Sequence, residues 1–292
     1  SHNKGSTVDT KGARQTQVPW EDFYEFTGTK LQEFPLPAAL PGARGALLDE
    51  LARFQSDVSP RSTLREARIA EGGMLEAVHA ARDEWGRLRA RMVFEQEELD
   101  WEVYRLYGLI DEDLTYGGGA IDRIDLGDRA FETALARRVA QGAEETAWFE
   151  RHGSTPRTEI PAEWPEDYRA LVQRRLDLIA SDPHIALLEK PEHKRRWATP
   201  GWDVLLRDAA RDALLDRLGA PALWDDGQGP TARSVGELAS ALRHDTFVRD
   251  LATILTGTTE HDLTAVLTPL VADEVVPYLA AHRYKEPGIE KY

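Results

Sequence analysis

Residues 74–107 read MLEAVHAARDEWGRLRARMVFEQEELDWEVYRLY. Leu75, Val78, Arg82, Trp85, Leu88, Met92, Leu99, Val103 and Leu106 fall mostly three or four apart. That spacing lays them along one stripe of a helix and predicts a long amphipathic helix or a helical hairpin. Gly108 suits the left-handed residue that ends such a helix. The acidic run Glu95, Glu97, Glu98, Asp100 and Glu102 reads most simply as a solvated face, with Asp100 an ordinary surface carboxylate. A protein-docking surface is the sharper alternative.

Outward from this core the helical signal continues. Pro41 can open a helix whose apolar positions are Leu47, Leu48, Leu51 and Phe54. Gly72-Gly73 breaks the chain before residue 74. Phe131, Leu135, Val139, Trp148 and Phe149 suggest a further helix. Tyr168, Leu171, Val172, Leu176 and Ile179 form another stripe, stopped by Asp182-Pro183. A helix over 203–218 closes at Gly219 and Pro221. Ser234 with Glu237 forms a plausible capping box. Two more periodic stretches lie near 245–255 and 262–281, the latter capped or kinked by Pro269 and Pro277. Strand-like alternation is scarce, so the expected class is mainly α. The expected organisation is an extended, aromatic- and proline-rich segment over 1–40, a helical domain over 41–152, a linker over 153–166 and a second helical subdomain over 167–292. Gly117-Gly118-Gly119 reads as a flexible break.

Composition narrows the function. A hydrophobic fraction of 41% with 30% charged residues fits a globular chain. There is no cysteine, which excludes disulfides, thiolate nucleophiles and cysteine-held metals. No apolar run approaches the ~20 residues of a membrane-spanning helix; no membrane contact and a cytoplasmic setting are expected. The net charge of -15 opposes approach to a phosphate backbone. The charge is uneven: residues 167–220 hold 10 Lys/Arg against 9 Asp/Glu, whereas 59–116 hold 8 against 13.

The most pointed feature lies in the first of those regions: Lys190-Pro191-Glu192-His193-Lys194-Arg195-Arg196-Trp197. Lysine and arginine neutralise phosphates, and an indole can stack on a base. Lys190, His193, Lys194, Arg195, Arg196 and Trp197 are therefore candidate nucleic-acid contacts. The competing reading buries Trp197 in the core and pairs the cations with nearby carboxylates. His184 and His193 bracket Glu189 and Glu192, but without a recognised metal-ligand spacing. No catalytic, cofactor or metal residue is assigned. Gly117-Gly118-Gly119 lacks the preceding strand that a donor-binding turn needs, and no Asn/Asp-Pro-Pro-aromatic tetrapeptide is present.

Three stretches carry a resemblance. DTKGARQT (9–16) runs into FYEFTGTKL (23–31) and FPLP (34–37); EELDWEVYRLYGL spans 97–109; RRLDLI (174–179) leads to PEHKRRW (191–197). With VPYLAAHRYK (276–285), they resemble, in order, the region downstream of the catalytic domain in the PglX-type adenine-specific DNA methyltransferases of phage-exclusion (BREX, phage growth limitation) systems. The resemblance implies a parent enzyme that methylates adenine N6 in duplex DNA with S-adenosylmethionine, as self-marking in phage defence. It implies for this chain a recognition, clamp or scaffold role, with other defence proteins or a phage inhibitor as alternative partners. Because the donor loop and the adenine clamp are missing, calorimetry of this chain with S-adenosylmethionine should show no micromolar binding; such binding would refute the non-catalytic reading.

Overall fold

The computed structural model describes residues 2–4, 23–25 and 28–272, apart from positions 71, 72, 120, 122, 123, 196, 198, 199, 226 and 228. It is mainly helical. A three-residue antiparallel pair joins β1 (His2–Lys4) to β2 (Phe23–Glu25). One helical turn, α1 (Gly28–Gln32), comes before Pro35 and Pro37 forbid further helix. Positions 1, 5–22, 26 and 27 of the expected N-terminal segment, and the end of the 262–281 stretch with Pro277, lie outside the described residues.

The axis is α4 (Met74–Leu106), a single helix of 33 residues and about 50 Å in length at 1.5 Å per residue. The Met74–Tyr107 periodicity thus gives one helix, not a hairpin. It ends where Gly108 takes φ of +65°, a conformation that costs a side chain but not glycine. Around its N-terminal half pack α3 (Pro60–Ala70), α9 (Trp202–Leu218), α10 (Val235–Leu242), α11 (Thr246–Thr256) and α12 (Leu263–Val271). Their shared core includes Val78, Trp85, Leu214, Leu218, Leu242, Leu251 and Leu267. Pro269 sits inside the last turns of α12. The Ser234–Glu237 capping box is formed at the start of α10, with both reciprocal bonds present.

Around the C-terminal half of α4 pack α2 (Gly42–Asp57), the loop over 110–124, α7 (Glu166–Ser181) and α8 (Pro183–Leu188). All five residues of the stripe Tyr168, Leu171, Val172, Leu176 and Ile179 are buried. Asp182 caps α8 through the amides of His184 and Ile185, with Pro183 as first residue. A small aromatic cluster links α5 (Ala130–Ala140) to α6 (Trp148–His152). The stretch before α7 is irregular but anchored, since Trp164 is buried with its ring 5.0 Å from that of Tyr168.

The acidic run does not face solvent. Glu95, Glu97 and Glu98 are buried, and only Asp100 and Glu102 keep partial exposure. The reason is that cations from distant parts of the chain cover them. Arg175 of α7 is fully buried and donates through Nη2 to both oxygens of Glu98 at 2.8 Å. It also donates to the Leu114 carbonyl, and its guanidinium lies 5.3 Å from the Trp101 ring. The Tyr116 amide donates to Glu98 at 2.6 Å. Glu97 accepts from the Trp101 indole at 3.2 Å and from the Ala130 amide at the start of α5, where an anion suits the helix dipole. Arg44 of α2 bridges Glu102, at 3.0 Å, and Glu95. Asp100 receives Lys194 at 2.9 Å. Burial alone would lower the pKa of Arg175, but Glu98 and Glu97 raise it above the usual arginine value, so the guanidinium stays charged.

Removing one member of a buried pair strands the other. We expect Arg175→Met to destabilise the protein by about 3–5 kcal/mol. Adding Glu98→Gln should restore at least half of that, because the amide still accepts from Tyr116 without a buried charge. Urea denaturation of the three proteins checks both; a single variant as stable as wild type would show the pair to be dispensable.

Candidate nucleic-acid interface

The turn over 189–197 begins where α8 ends at Glu189. Pro191 opens a short 3-10 turn through His193, because its fixed φ suits a helical first position and its missing amide is not needed there. The chain then runs extended through Lys194. This geometry sends neighbouring side chains in opposite directions. Lys190, His193 and Arg195 are exposed; Lys194 and Trp197 are buried. Glu192, also exposed, lies on the same turn. Arg196 lies outside the described residues.

Lys194 is the anchor. Its ammonium donates to Asp100 at 2.9 Å and to the Tyr104 hydroxyl at 3.0 Å, and it pairs with Glu189. The Tyr104 hydroxyl donates to Glu189 at 2.6 Å. Burial opposes the charge on Lys194, but Glu189 and Asp100 outweigh it and hold its pKa well above the usual lysine value. Burial and the neighbouring Glu189 likewise push the Tyr104 phenol upward. Lys194 therefore stays charged and withdrawn from solvent, so in this conformation its ammonium does not reach an outside phosphate. Glu189 is taken up by this knot while His184, Glu192 and His193 are exposed; the structure does not gather the two histidines and two glutamates around one point.

The backbone beyond is clamped twice. Arg129 donates to the Arg195 carbonyl at 3.0 Å and Arg89 donates to the Trp197 carbonyl at 2.6 Å. Arg129 is itself fixed by Glu132, in an ion pair at 2.9 Å, and Glu132 also accepts from the Trp148 indole and the Gly127 amide. Gly127 has φ of +104°, and a Cβ there would come within 2.3 Å of the Thr155 carbonyl oxygen, so only glycine fits. With its carbonyl held from below, Arg195 lays its guanidinium over the Trp197 ring, 4.4 Å from the centroid. Among the described residues, no carboxylate pairs with Arg195 or Lys190. Beside the Arg89 clamp lies a cleft of about 500 Å³, lined in part by Arg82, Arg87 and Arg89 with Asp83 and Asp125.

Sequence reasoning singles out this turn but not its inner partners. Asp100, Tyr104, Arg89 and Arg129 come from 66 to 108 positions away along the contacts they make, and nothing in the local string points to them. Gly117-Gly118-Gly119 follows no strand, and a Cβ on Gly118 would meet the Tyr116 ring at 2.4 Å. Gly118 makes room for the protein's own tyrosine, which is packed 4.9 Å from Tyr168.

Asp128, one residue before Arg129, is buried with Arg157 as its ion-pair partner. Burial raises its pKa from 3.8 to about 6, against the opposing pull of Arg157. A carboxyl whose folded pKa is raised favours folding when neutral, and that contribution is lost as pH rises from its unfolded value through about 6. Lowering the pH from 7.5 to 5 should therefore stabilise wild type relative to Asp128→Asn by about 1.4 kcal/mol, near one pKa unit's worth. Denaturation curves of both proteins at the two pH values test this; an unchanged difference would refute it.

Comparison with known proteins places the chain. The family model described as a domain of unknown function, DUF7008, matches residues 92–292, which include the turn and every one of its clamping partners except Arg89. The chain is 46% identical, over 98% of its length, to the adenine-specific methyltransferase PglX of Streptomyces coelicolor. It spans about a quarter of that relative, the C-terminal 24%. No solved structure matches. Among the described residues no helix is long and apolar enough to cross a membrane. The chain belongs to the DUF7008 family and is similar, over nearly its whole length, to the C-terminal region of a PglX protein.

Proposed function

We propose that this segment serves a PglX-type, S-adenosylmethionine-dependent adenine methyltransferase as a non-catalytic DNA-contacting clamp. Its contact surface is the turn carrying Lys190, His193 and Arg195. The observation that carries this reading is the fixed presentation of Arg195: its carbonyl is held by Arg129, its guanidinium rests on Trp197, and no carboxylate neutralises it among the described residues. A guanidinium held this way loses little freedom on meeting a phosphate, and its flat fork matches two phosphate oxygens. Lys194 and Trp197 support the turn from inside rather than touching DNA. Marking of host DNA in phage defence is the setting we assign to the complete protein.

The net charge of -15 argues against a long-range attraction but not against a local contact. Charges more than ~8–10 Å apart across solvent are largely screened at physiological salt. Part of the acidity is internal too: Glu95, Glu97, Glu98, Asp128, Glu132 and Glu189 are buried, against Arg129, Arg175 and Lys194. The expected behaviour is weak binding by the chain alone and a measurable contribution within the complete protein.

Phosphate contacts position a protein without reading sequence. In the complete PglX-type protein, Lys190→Glu with Arg195→Glu should weaken binding to all duplexes alike. It should flatten the log–log salt dependence by about 1.8, roughly 0.9 for each phosphate that is no longer neutralised. Both side chains are exposed, so folding should be unaffected. A folded double variant with unchanged affinity and salt dependence would overturn the DNA reading and favour a scaffold that binds other defence proteins.

A further inference from the structure

Far from the basic turn in its chemistry, but beside the same helix, the protein carries an apolar surface that none of the described residues covers. Leu31, Phe34, Leu36 and Leu40 are 78%, 58%, 76% and 68% exposed. Four large apolar side chains so open within ten residues are not the scattered single exposures common on any surface. Two bonds fix where they sit. The Tyr107 hydroxyl donates to the Pro35 carbonyl at 2.9 Å, and Arg44 of α2 donates to Glu102 at 3.0 Å. The segment between them therefore lies across the C-terminal end of α4, where Tyr107 and Leu109 are also exposed. Pro35, Pro37 and Pro41 restrict this segment's backbone, so little conformational entropy remains to be lost when it is covered.

We propose that this face is the docking surface for the part of the PglX-type protein that precedes this region. Two observations support that occupant. The chain matches the C-terminal 24% of its PglX relative, so most of that relative's length lies on the N-terminal side. The apolar residues lie on α1 and the linker after it, ahead of the helical core. Covalent connection lets even a small surface hold, because it raises the effective concentration into the millimolar range.

The inference does not rest on DNA contact by the basic turn. Hydrogen exchange tests it, with this chain compared against the complete PglX-type protein that carries it. Amides of residues 29–34 and 107–110 should exchange quickly in the chain alone and at least tenfold more slowly in the complete protein. Leu36→Asp with Leu40→Asp in the complete protein should abolish that slowing while the amides of α9 keep theirs. Equal exchange in the two proteins would overturn the proposal, as would protection in the chain alone that rises with its concentration, which marks a second copy as the occupant.

Discussion

A guanidinium with no exposure to solvent, that of Arg175, faces Glu98, a carboxylate equally buried. Taking either charge out of water costs several kcal/mol, and mutual attraction offsets that only when geometry and further hydrogen bonds are good. Here they are. Arg175 reaches two carboxylate oxygens and a carbonyl, and Glu98 also takes the Tyr116 amide. The constraint this imposes is one of register. If α7 slid by one turn along α4, both charges would lose their partner inside an apolar core. Hydrophobic contacts of Tyr168, Leu171 and Leu176 tolerate such a slip far better than the ion pair does. The pair therefore specifies how α4, α7 and the loop at 114–116 meet, more than it adds to net stability.

The same device recurs along α4. Arg44 and Arg91 close on Glu95; Lys194 closes on Asp100 and Glu189. Each cation comes from a different place in the chain, so a single acidic stretch of helix collects α2, α7 and the turn after α8. The turn at 189–197 is thus shaped by its inward residues. Lys194 and Trp197 fix its floor, and the carbonyls between them are held by Arg129 and Arg89. What remains outside is Lys190, His193 and Arg195 together with Glu192, while Glu189 is used below.

Much of this is legible in the sequence. The boundaries of α4 and α9, the capped start of α10 and the stripe of α7 follow from spacing and from capping chemistry, both local. The acidic face of α4 misleads when charge alone is weighed. Its positions carry a second signal: Glu97 and Glu98 fall between Phe94 and Trp101 at three- and four-residue steps, on the same stripe as Tyr104. Arg175 stands likewise between Val172 and Ile179, three and four residues away, on the buried stripe of α7. Opposite charges at inward positions of two apolar stripes read together as a buried pair. The clamping roles of Arg89 and Arg129 have no such signal, since each acts on a backbone carbonyl far along the chain, and carbonyls are the same in every sequence.

The basic turn and the apolar face depend on neighbouring positions of one helix. Asp100 and Tyr104 hold Lys194; Tyr107, just past the last residue of α4, holds the segment at Pro35. Seven residues of helix separate Asp100 from Tyr107, about 10 Å along the axis. Helix over that distance is rigid, and the Arg44 contact with Glu102 stiffens the α2 side between the two points. A body seated on the apolar face would therefore fix the direction of the basic turn relative to itself, with no flexible joint in between. For a clamp this matters more than affinity. Two or three phosphate contacts are weak by themselves, and they become useful only when the rest of the protein meets the duplex at a set angle. In the proposed clamp, the buried carboxylates of α4, which at first sight make the chain a poor partner for DNA, would be what transmits that angle.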